Sequence, residues 1–441
     1  MIIGNGKLIT NDAENNFYDN GAVLVRGNII EEVGNFEDLK AAYPEEEIVD
    51  VQGNVIMPGM ICAHSHIYSA YARGMGVSKP TVDFFTVLEN LWWALDKKLT
   101  LEDVKLNAYT TYIESIRNGV TTLIDHHAGP NSVTGSLFTI AEAAKELGIR
   151  TSLCYEVSDR DGKEIALKGI KENVDFIKAC QKDDNGDMIK GLFGMHASFT
   201  ISDDTLYKAR EAMEGVYDGY HIHVAEGIED EYDSLKKHGK RVVERLHDFD
   251  ILGERTLAVH CVHANPREID IIKATNTNVV HNPESNMNNA VGCPPVKYML
   301  DKGIVVGLGT DAYTNDMFES MKVANILQAH HLCDPTVGFM ETINMQFKNN
   351  PIILSKYFNK PLGVIEKGAY ADLITLKYDP LTPLNANSWY GHSLFGFNGG
   401  IVQDNMINGK FVMRGREILN VDTAEIMAKS RERAAKIWPQ M

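Results

Sequence analysis

VIMPGMICAHSH, residues 55–66, is an apolar run that stops abruptly at two histidines one residue apart. Side chains alternate along a strand with a period of two, so a strand here presents His64 and His66 on the same face. Seven runs of the same kind follow: VTTLIDHH (120–127), RTSLCYEV (150–157), GLFGMHASF (191–199), YHIHVAE (220–226), TLAVHCVHA (256–264), TNVVHNPESN (277–286) and GIVVGLGTDA (303–312). Their apolar and β-branched content suits strands buried on both faces of a parallel sheet. The stretches between them read as amphipathic helices, with apolar residues three and four apart in SLFTIAEAAKELG and REIDIIKATN. Eight strand–helix units between Val55 and Asp311 match the roughly 250 residues of a (β/α)8 barrel. A doubly wound sheet is the competing α/β fold, weakened because no glycine-rich phosphate loop follows an early run.

Outside this span, GAVLVRGNIIEEVG turns at Arg26-Gly27-Asn28 and IVQDNMINGKFVMRGREIL turns at Asn408-Gly409, both strong hairpin signals. Neither chain end has enough strands for a core of its own, so the two should join in one small, discontinuous β-sandwich. The expected division is residues 1–56 for the first part of the sandwich, 57–365 for the barrel and 366–441 for the second part.

The composition narrows the partners. With 60 acidic against 43 basic side chains, a formal charge of −17 opposes binding to phosphate backbones and anionic membranes. No run of eighteen uncharged apolar residues marks a membrane span, and the first residues lack the pattern of a secretory signal. Six cysteines scattered without a CxxC pair suggest reduced thiols and a cytoplasmic protein.

Barrel enzymes carry their chemistry where strands end. Here the ends hold His64 and His66, His196, then His221, His223 and Glu226, then His260 and His263, then His281, and finally Asp311. His64 and His66 can share one ion. A third histidine from the fifth run and the Asp311 carboxylate would complete a mixed nitrogen and oxygen site for zinc or a similar divalent metal, leaving one position open. His126 and His127 close the second run, where one could line the pocket. His330 and His331 lie on a helical stretch and read as surface or packing groups.

PGMICAHSH, HIHVAE, AVHCVHA, HNPESN and GLGTDA together resemble the amidohydrolase superfamily, in the metal-dependent aminohydrolase branch that includes triazine hydrolases and the cytosine, guanine and S-adenosylhomocysteine deaminases. KGAYADLITL resembles the strand by which that family returns to its sandwich, and LENLWWALDKKLT (88–100) is similar to the SsnA-like aminohydrolases. The resemblance makes His64, His66, His223 and Asp311 the metal ligands and gives His221 a supporting role. One metal is implied, zinc first and iron or manganese as alternatives, because the end of the fourth run has no bridging lysine and Lys190 precedes the strand.

It further implies that Asp311 takes a proton from the attacking water, Glu226 carries a proton to ring and leaving nitrogen, and His260 orients the nucleophile. Arg73, His196 and His281 are candidate substrate contacts. Trp92 and Trp93 could stack on a heterocycle, though helix packing is the preferred reading. The expected activity is hydrolysis of a non-peptide C–N bond, releasing ammonia from an amino-substituted purine, pyrimidine or related heterocycle. Ring opening of a cyclic amide or amidine is the alternative, and an inactive binding protein on the same barrel the third reading. The stretch from Tyr68 to Leu99 lacks the substrate-contacting pattern of better-characterised deaminases, so the particular ring stays open. A homodimer or larger symmetric assembly is expected from the resemblance.

Overall fold

A computed structural model describes residues 1–183, 185–216 and 219–441. The eight runs supply eight parallel strands: Met60–Ser65, Val120–Asp125, Arg150–Leu153, a fourth in two pieces (Ile189–Gly191 and Phe193–Ala197), Tyr220–Val224, Leu257–His260, Asn278–His281 and Val306–Leu308. Every residue in them except Lys190 is buried, which accounts for their continuous apolar character. Two seams turn the strands into a ring. At the fourth strand, Leu192 N–H donates to Leu153 O at 3.0 Å and Phe193 N–H to Gly219 O at 3.0 Å. Between the eighth strand and the first, Ser65 bridges Asp311, and Thr310 N–H donates to His64 O at 2.9 Å. The result is a (β/α)8 barrel.

The expected helices form between the strands. Ser136–Leu147 stops at Gly148, which takes a left-handed φ of 76°. Pro266–Ala274 starts with proline inside and a reciprocal capping box between Asn265 and Glu268.

The first run divides into two strands. Val55–Pro58 pairs with Ile2–Ile9 and Leu373–Leu376 outside the barrel, and Met60–Ser65 pairs with Val120–Asp125 inside it. The chain crosses at Gly59, where a Cβ would lie 2.1 Å from Thr121 Cγ2, so only glycine permits the passage. We place the junction between sheet and barrel there. The two chain ends join in a nine-stranded sheet that runs from Glu417–Ile418 through Val55–Pro58 to Ile29–Asn35. It curls until Ile30 N–H reaches Ala369 O at 3.0 Å. The two foreseen hairpin turns abut, with Asn28 Nδ2 donating to Asn408 Oδ1 at 3.0 Å.

One buried ion pair ties this sheet to the barrel. Arg150, at the start of the third strand, donates from Nε and Nη2 to the two oxygens of Asp372 at 3.0 and 3.1 Å. The last helix, Thr423–Ile437, leaves the sheet and packs on the barrel helix Leu101–Arg117. Arg433 donates to both oxygens of Asp103, and Trp438 Nε1 donates to Tyr71 O at 2.9 Å. Among the described residues no helix is long and apolar enough to cross a membrane.

Candidate metal centre and active site

Three of the strand-end histidines, His64, His66 and His223, converge at the C-terminal mouth of the barrel, each held by its second ring nitrogen. His66 Nδ1 donates to His126 O at 2.6 Å and His223 Nδ1 to His196 O at 3.0 Å. His64 Nδ1 lies 2.9 Å from His221 Nε2, so His221 stands behind His64 rather than beside His223. Their Nε2 atoms point inward. His66 Nε2 and His223 Nε2 are 3.2 Å apart, while Asp311 Oδ1 lies 3.6 Å from His66 Nε2 and Oδ2 3.9 Å from His64 Nε2.

Strained backbone aims these groups. Asp311 has φ 55°, His260 φ 72° and Ala225, just before Glu226, φ 48°, all in the left-handed region that side chains with a Cβ avoid. Gly309 lets the eighth strand approach the first, since a Cβ there would lie 2.8 Å from His64 O. That approach allows Asp311 N–H to donate to the same oxygen at 3.1 Å.

Burial, with mutual repulsion among the rings, pushes His64, His221 and His223 well below the ordinary imidazole range, and burial lowers His66. The rings are therefore neutral at pH 7. A carbonyl oxygen only accepts, so the Nδ1 of His66 and of His223 carries the proton and both Nε2 atoms present lone pairs to each other. A divalent cation resolves that conflict, and His64 Nε2, buried and without a hydrogen-bond partner among the described residues, faces the same point. These donors fit zinc-type chemistry, with His64, His66, His223 and Asp311 able to hold the ion.

His260 is arranged differently. Asn286 Nδ2 lies 2.9 Å from its Nδ1. An amide NH₂ only donates, so the His260 proton sits on Nε2, which is 3.4 Å from Asp311 Oδ2 and 3.5 Å from Glu226 Oε2. Burial lowers His260 to about 4. Glu226 accepts from Asn289 Nδ2 at 3.1 Å, and Tyr313 OH donates to Asn289 Oδ1 at 2.7 Å. Burial and the neighbouring Asp311 raise the Glu226 carboxyl well above its usual range, the condition for an acid that keeps its proton at neutral pH.

A cavity of about 1060 Å³ opens above, with Ser65, His66 and Asp311 at its floor and Trp92, Asn289 and Tyr313 in its walls. Met427, Ser430, Arg431 and Ala434 of the last helix also line it. Arg73 lines it too, paired through Nη1 with Glu114 Oε1 at 2.6 Å. His196 is buried, its Nδ1 2.7 Å from Thr200 Oγ1 and its ring edge-on to Trp93 at 5.8 Å. Burial lowers it to about 4. His281 is fully buried and is not among the residues lining the cavity. His126 is buried against His221 and His223, and His127 is buried beside Tyr68 and Tyr155. His263 reaches the cavity wall, with Nε2 2.8 Å from Val291 O. Lys190 is bonded to Asp187 at 2.5 Å, and His330 and His331 are exposed.

Sequence reasoning passed over Glu156, Asn286 and Asn289. The signal for Glu156 was a carboxylate near the end of RTSLCYEV, and for the two amides the asparagine-rich stretch after His281.

A profile of the amidohydrolase family matches residues 55–412, and one of an imidazolonepropionase-like composite domain of bacteria matches residues 21–45. The chain is 32% identical to a 5-methylthioadenosine/S-adenosylhomocysteine deaminase of Syntrophomonas wolfei subsp. wolfei, with 99% of each chain covered. It is 30% identical to a 5'-deoxyadenosine deaminase of Methanosarcina barkeri, over 99% of this chain and 98% of that one. A crystal structure of an adenosine deaminase from Xanthomonas campestris with bound zinc superposes with a TM-score of 0.86 at 22% identity, covering 99% and 98% of the two chains.

Proposed function

The chain belongs to the amidohydrolase family, and on that premise we propose that it is a zinc-dependent hydrolytic deaminase of an amino-substituted purine, pyrimidine or related heterocycle. The observation that carries this reading is the place of Glu226. It is a carboxyl kept protonated by burial, 3.5 Å from His260 Nε2, which is in turn 3.4 Å from Asp311 Oδ2.

Bound by His64, His66, His223 and Asp311, a divalent cation supplies Lewis acidity that brings the pKa of water toward about 7. Asp311 is placed to take the proton of the attacking water, and the Nε2–H of His260 to hold that oxygen by donating to it. Glu226 delivers its proton to the ring nitrogen beside the attacked carbon. It then passes the proton gained from Asp311 to the amine, which leaves as ammonia because an unprotonated amide is too basic to depart. The C–N bond breaks, the remaining hydroxyl proton returns by way of Asp311 to Glu226 as the carbon becomes a carbonyl, and one water is consumed. The aromatic wall of Trp92 and Tyr313, 6.4 Å apart edge to face, suits a flat ring.

Named relatives at 30–32% identity act on adenine nucleosides, which supports deamination and leaves the ring to this chain's own residues. Six cysteines scattered without a CxxC pair support a cytoplasmic enzyme, and we expect a homodimer or larger symmetric assembly. The test is to incubate the zinc-loaded protein with aminopurines, pyrimidines, triazines and cyclic ureides, following product mass and free ammonia together. Exchange of an amine for oxygen with ammonia released is expected. Gain of a whole water without ammonia would make the enzyme ring-opening instead.

A further inference from the structure

Ala225, the residue before Glu226, holds φ 48° although it carries a Cβ. Such a residue stays in the left-handed region only where its surroundings hold it there. Two hydrogen bonds do so. Ala225 O accepts from His263 N–H at 3.0 Å, a contact between backbones. Ala225 N–H donates to Asp230 Oδ2 at 3.1 Å, and this second bond depends on a side chain.

Asp230 lies in the first turn of the helix Ile228–His238, three residues after Gly227. An acidic side chain at that position commonly bonds the N–H of the residue that caps the helix, here Gly227. Asp230 reaches two residues further back instead. Its other oxygen, Oδ1, accepts from Phe199 N–H at 3.2 Å, in the short helical turn that follows the fourth strand. That turn is fixed from below. The buried Arg245 donates from Nη1 to the carbonyl and the hydroxyl of Ser198, each at 2.8 Å, and from Nη2 to Ile201 O at 2.7 Å. The carboxylate of Asp230, a residue 1% exposed, therefore bridges two strand ends, one anchored by Arg245 and the other strained.

We propose that Asp230 is a positioning residue, which by holding Ala225 N–H keeps the chain in the turn that points Glu226 at His260. Asp230 is not among the residues lining the cavity, so its effect on turnover runs through Glu226. Once released, Ala225 relaxes toward the extended region, and the Glu226 carboxyl withdraws from its place 3.5 Å from His260 Nε2. A displacement of about 1 Å in a reacting group costs about a hundredfold in rate. The effect on rate rests on the reading of Glu226 as proton carrier, and the effect on position on the backbone geometry alone.

The test compares zinc-loaded wild type, Asp230→Ala, Glu226→Gln and the double variant on guanine, cytosine and 5'-deoxyadenosine. Ammonia release is read per bound metal, beside crystal structures of wild type and Asp230→Ala. We expect Asp230→Ala to lower kcat about a hundredfold with KM little changed, and Glu226 to have withdrawn from His260. In the Glu226→Gln background the same change should cost less than about twofold, since no transferable proton is left to aim. A merely structural loss would lower both backgrounds alike. Ala225→Gly added to Asp230→Ala should recover about tenfold, because glycine takes the left-handed region freely. Should Asp230→Ala fail to fold, Asp230→Asn fills the same space but keeps one acceptor for two N–H groups, and its kcat should lie between. A wild-type kcat in the Asp230 variant, an equal loss in both backgrounds, or Glu226 unmoved would overturn the role of Asp230 and leave deamination standing. Normal turnover in Glu226→Gln would remove both roles together. Withdrawal of Glu226 with no ammonia from any of the three rings in wild type would leave the positioning standing and overturn deamination of those rings.

Discussion

His66 Nε2 and His223 Nε2 face each other at 3.2 Å with no proton for either, because each ring has spent its hydrogen on a backbone carbonyl. The backbone of two strands thus holds lone pairs together that repel unless a cation lies between them. Removing the metal should therefore cost stability as well as activity. At free zinc about a thousandfold above its dissociation constant, the holo protein should be stabilised by about 4 kcal/mol relative to the apo form. Thermal unfolding with and without a chelator, followed by titration back with zinc, measures this. Identical transitions would show that these histidines bind no ion that matters to the fold.

Glu226 Oε2 lies 3.5 Å from His260 Nε2 and stands outside the proposed ligand set, so its loss should separate chemistry from metal binding. Glu226→Gln keeps the shape and the contact with Asn289 but removes the transferable proton. Turnover should fall about a hundred- to ten-thousandfold. Metal content, measured by elemental analysis, should stay at the wild-type level. A variant with normal ammonia release would remove Glu226 from the mechanism.

Asn289 tunes that acid. Its donation to Glu226 Oε1 at 3.1 Å favours the ionised form and partly offsets the upward push of burial and Asp311. Asn289→Ala should raise the Glu226 pKa further. The protonated acid is the active form, so the rate falls as pH rises through that pKa, and raising it moves the descending limb to higher pH. A kcat profile against pH on the variant checks this. A limb moved to lower pH would mean that Glu226 works as a base in the rate-limiting step.

The barrel and the shared face of His64 and His66 were legible because both follow from local periodicity. Strands buried on two faces leave unbroken apolar runs, and a histidine pair spaced by two marks one face of a strand end. Gly59 escaped notice because VIMPGMICAHSH stays apolar through the point where the chain crosses from sheet to barrel. Glu156 escaped because its meaning lies in His126 and His196, brought beside it by the closure of the ring and by no spacing in the chain. Asn286 and Asn289 act through single hydrogen bonds to His260 and Glu226, and an amide in a polar loop has no pattern to reveal it. The last helix reads as a surface helix, and only its packing shows that it walls the cavity.

The opposite end of the barrel offers a control that separates fold from chemistry. Arg150 is fully buried, holds both oxygens of Asp372 and also donates to the backbone carbonyl of Asp187. Asp372 in turn accepts from Asn408 N–H at 2.7 Å, so one guanidinium joins the third barrel strand to two strands of the terminal sheet. Arg150→Met would strand a buried carboxylate and should cost about 3–5 kcal/mol. Adding Asp372→Asn should recover part of that loss, since a neutral amide is cheaper to leave without its cation. Because Arg150 starts its strand and the metal set sits where strands end, the folded fraction of either variant should keep the wild-type kcat. Denaturant unfolding with kinetics normalised to bound metal tests both halves. A kcat lost in proportion to stability would mean that the terminal sheet shapes the site directly.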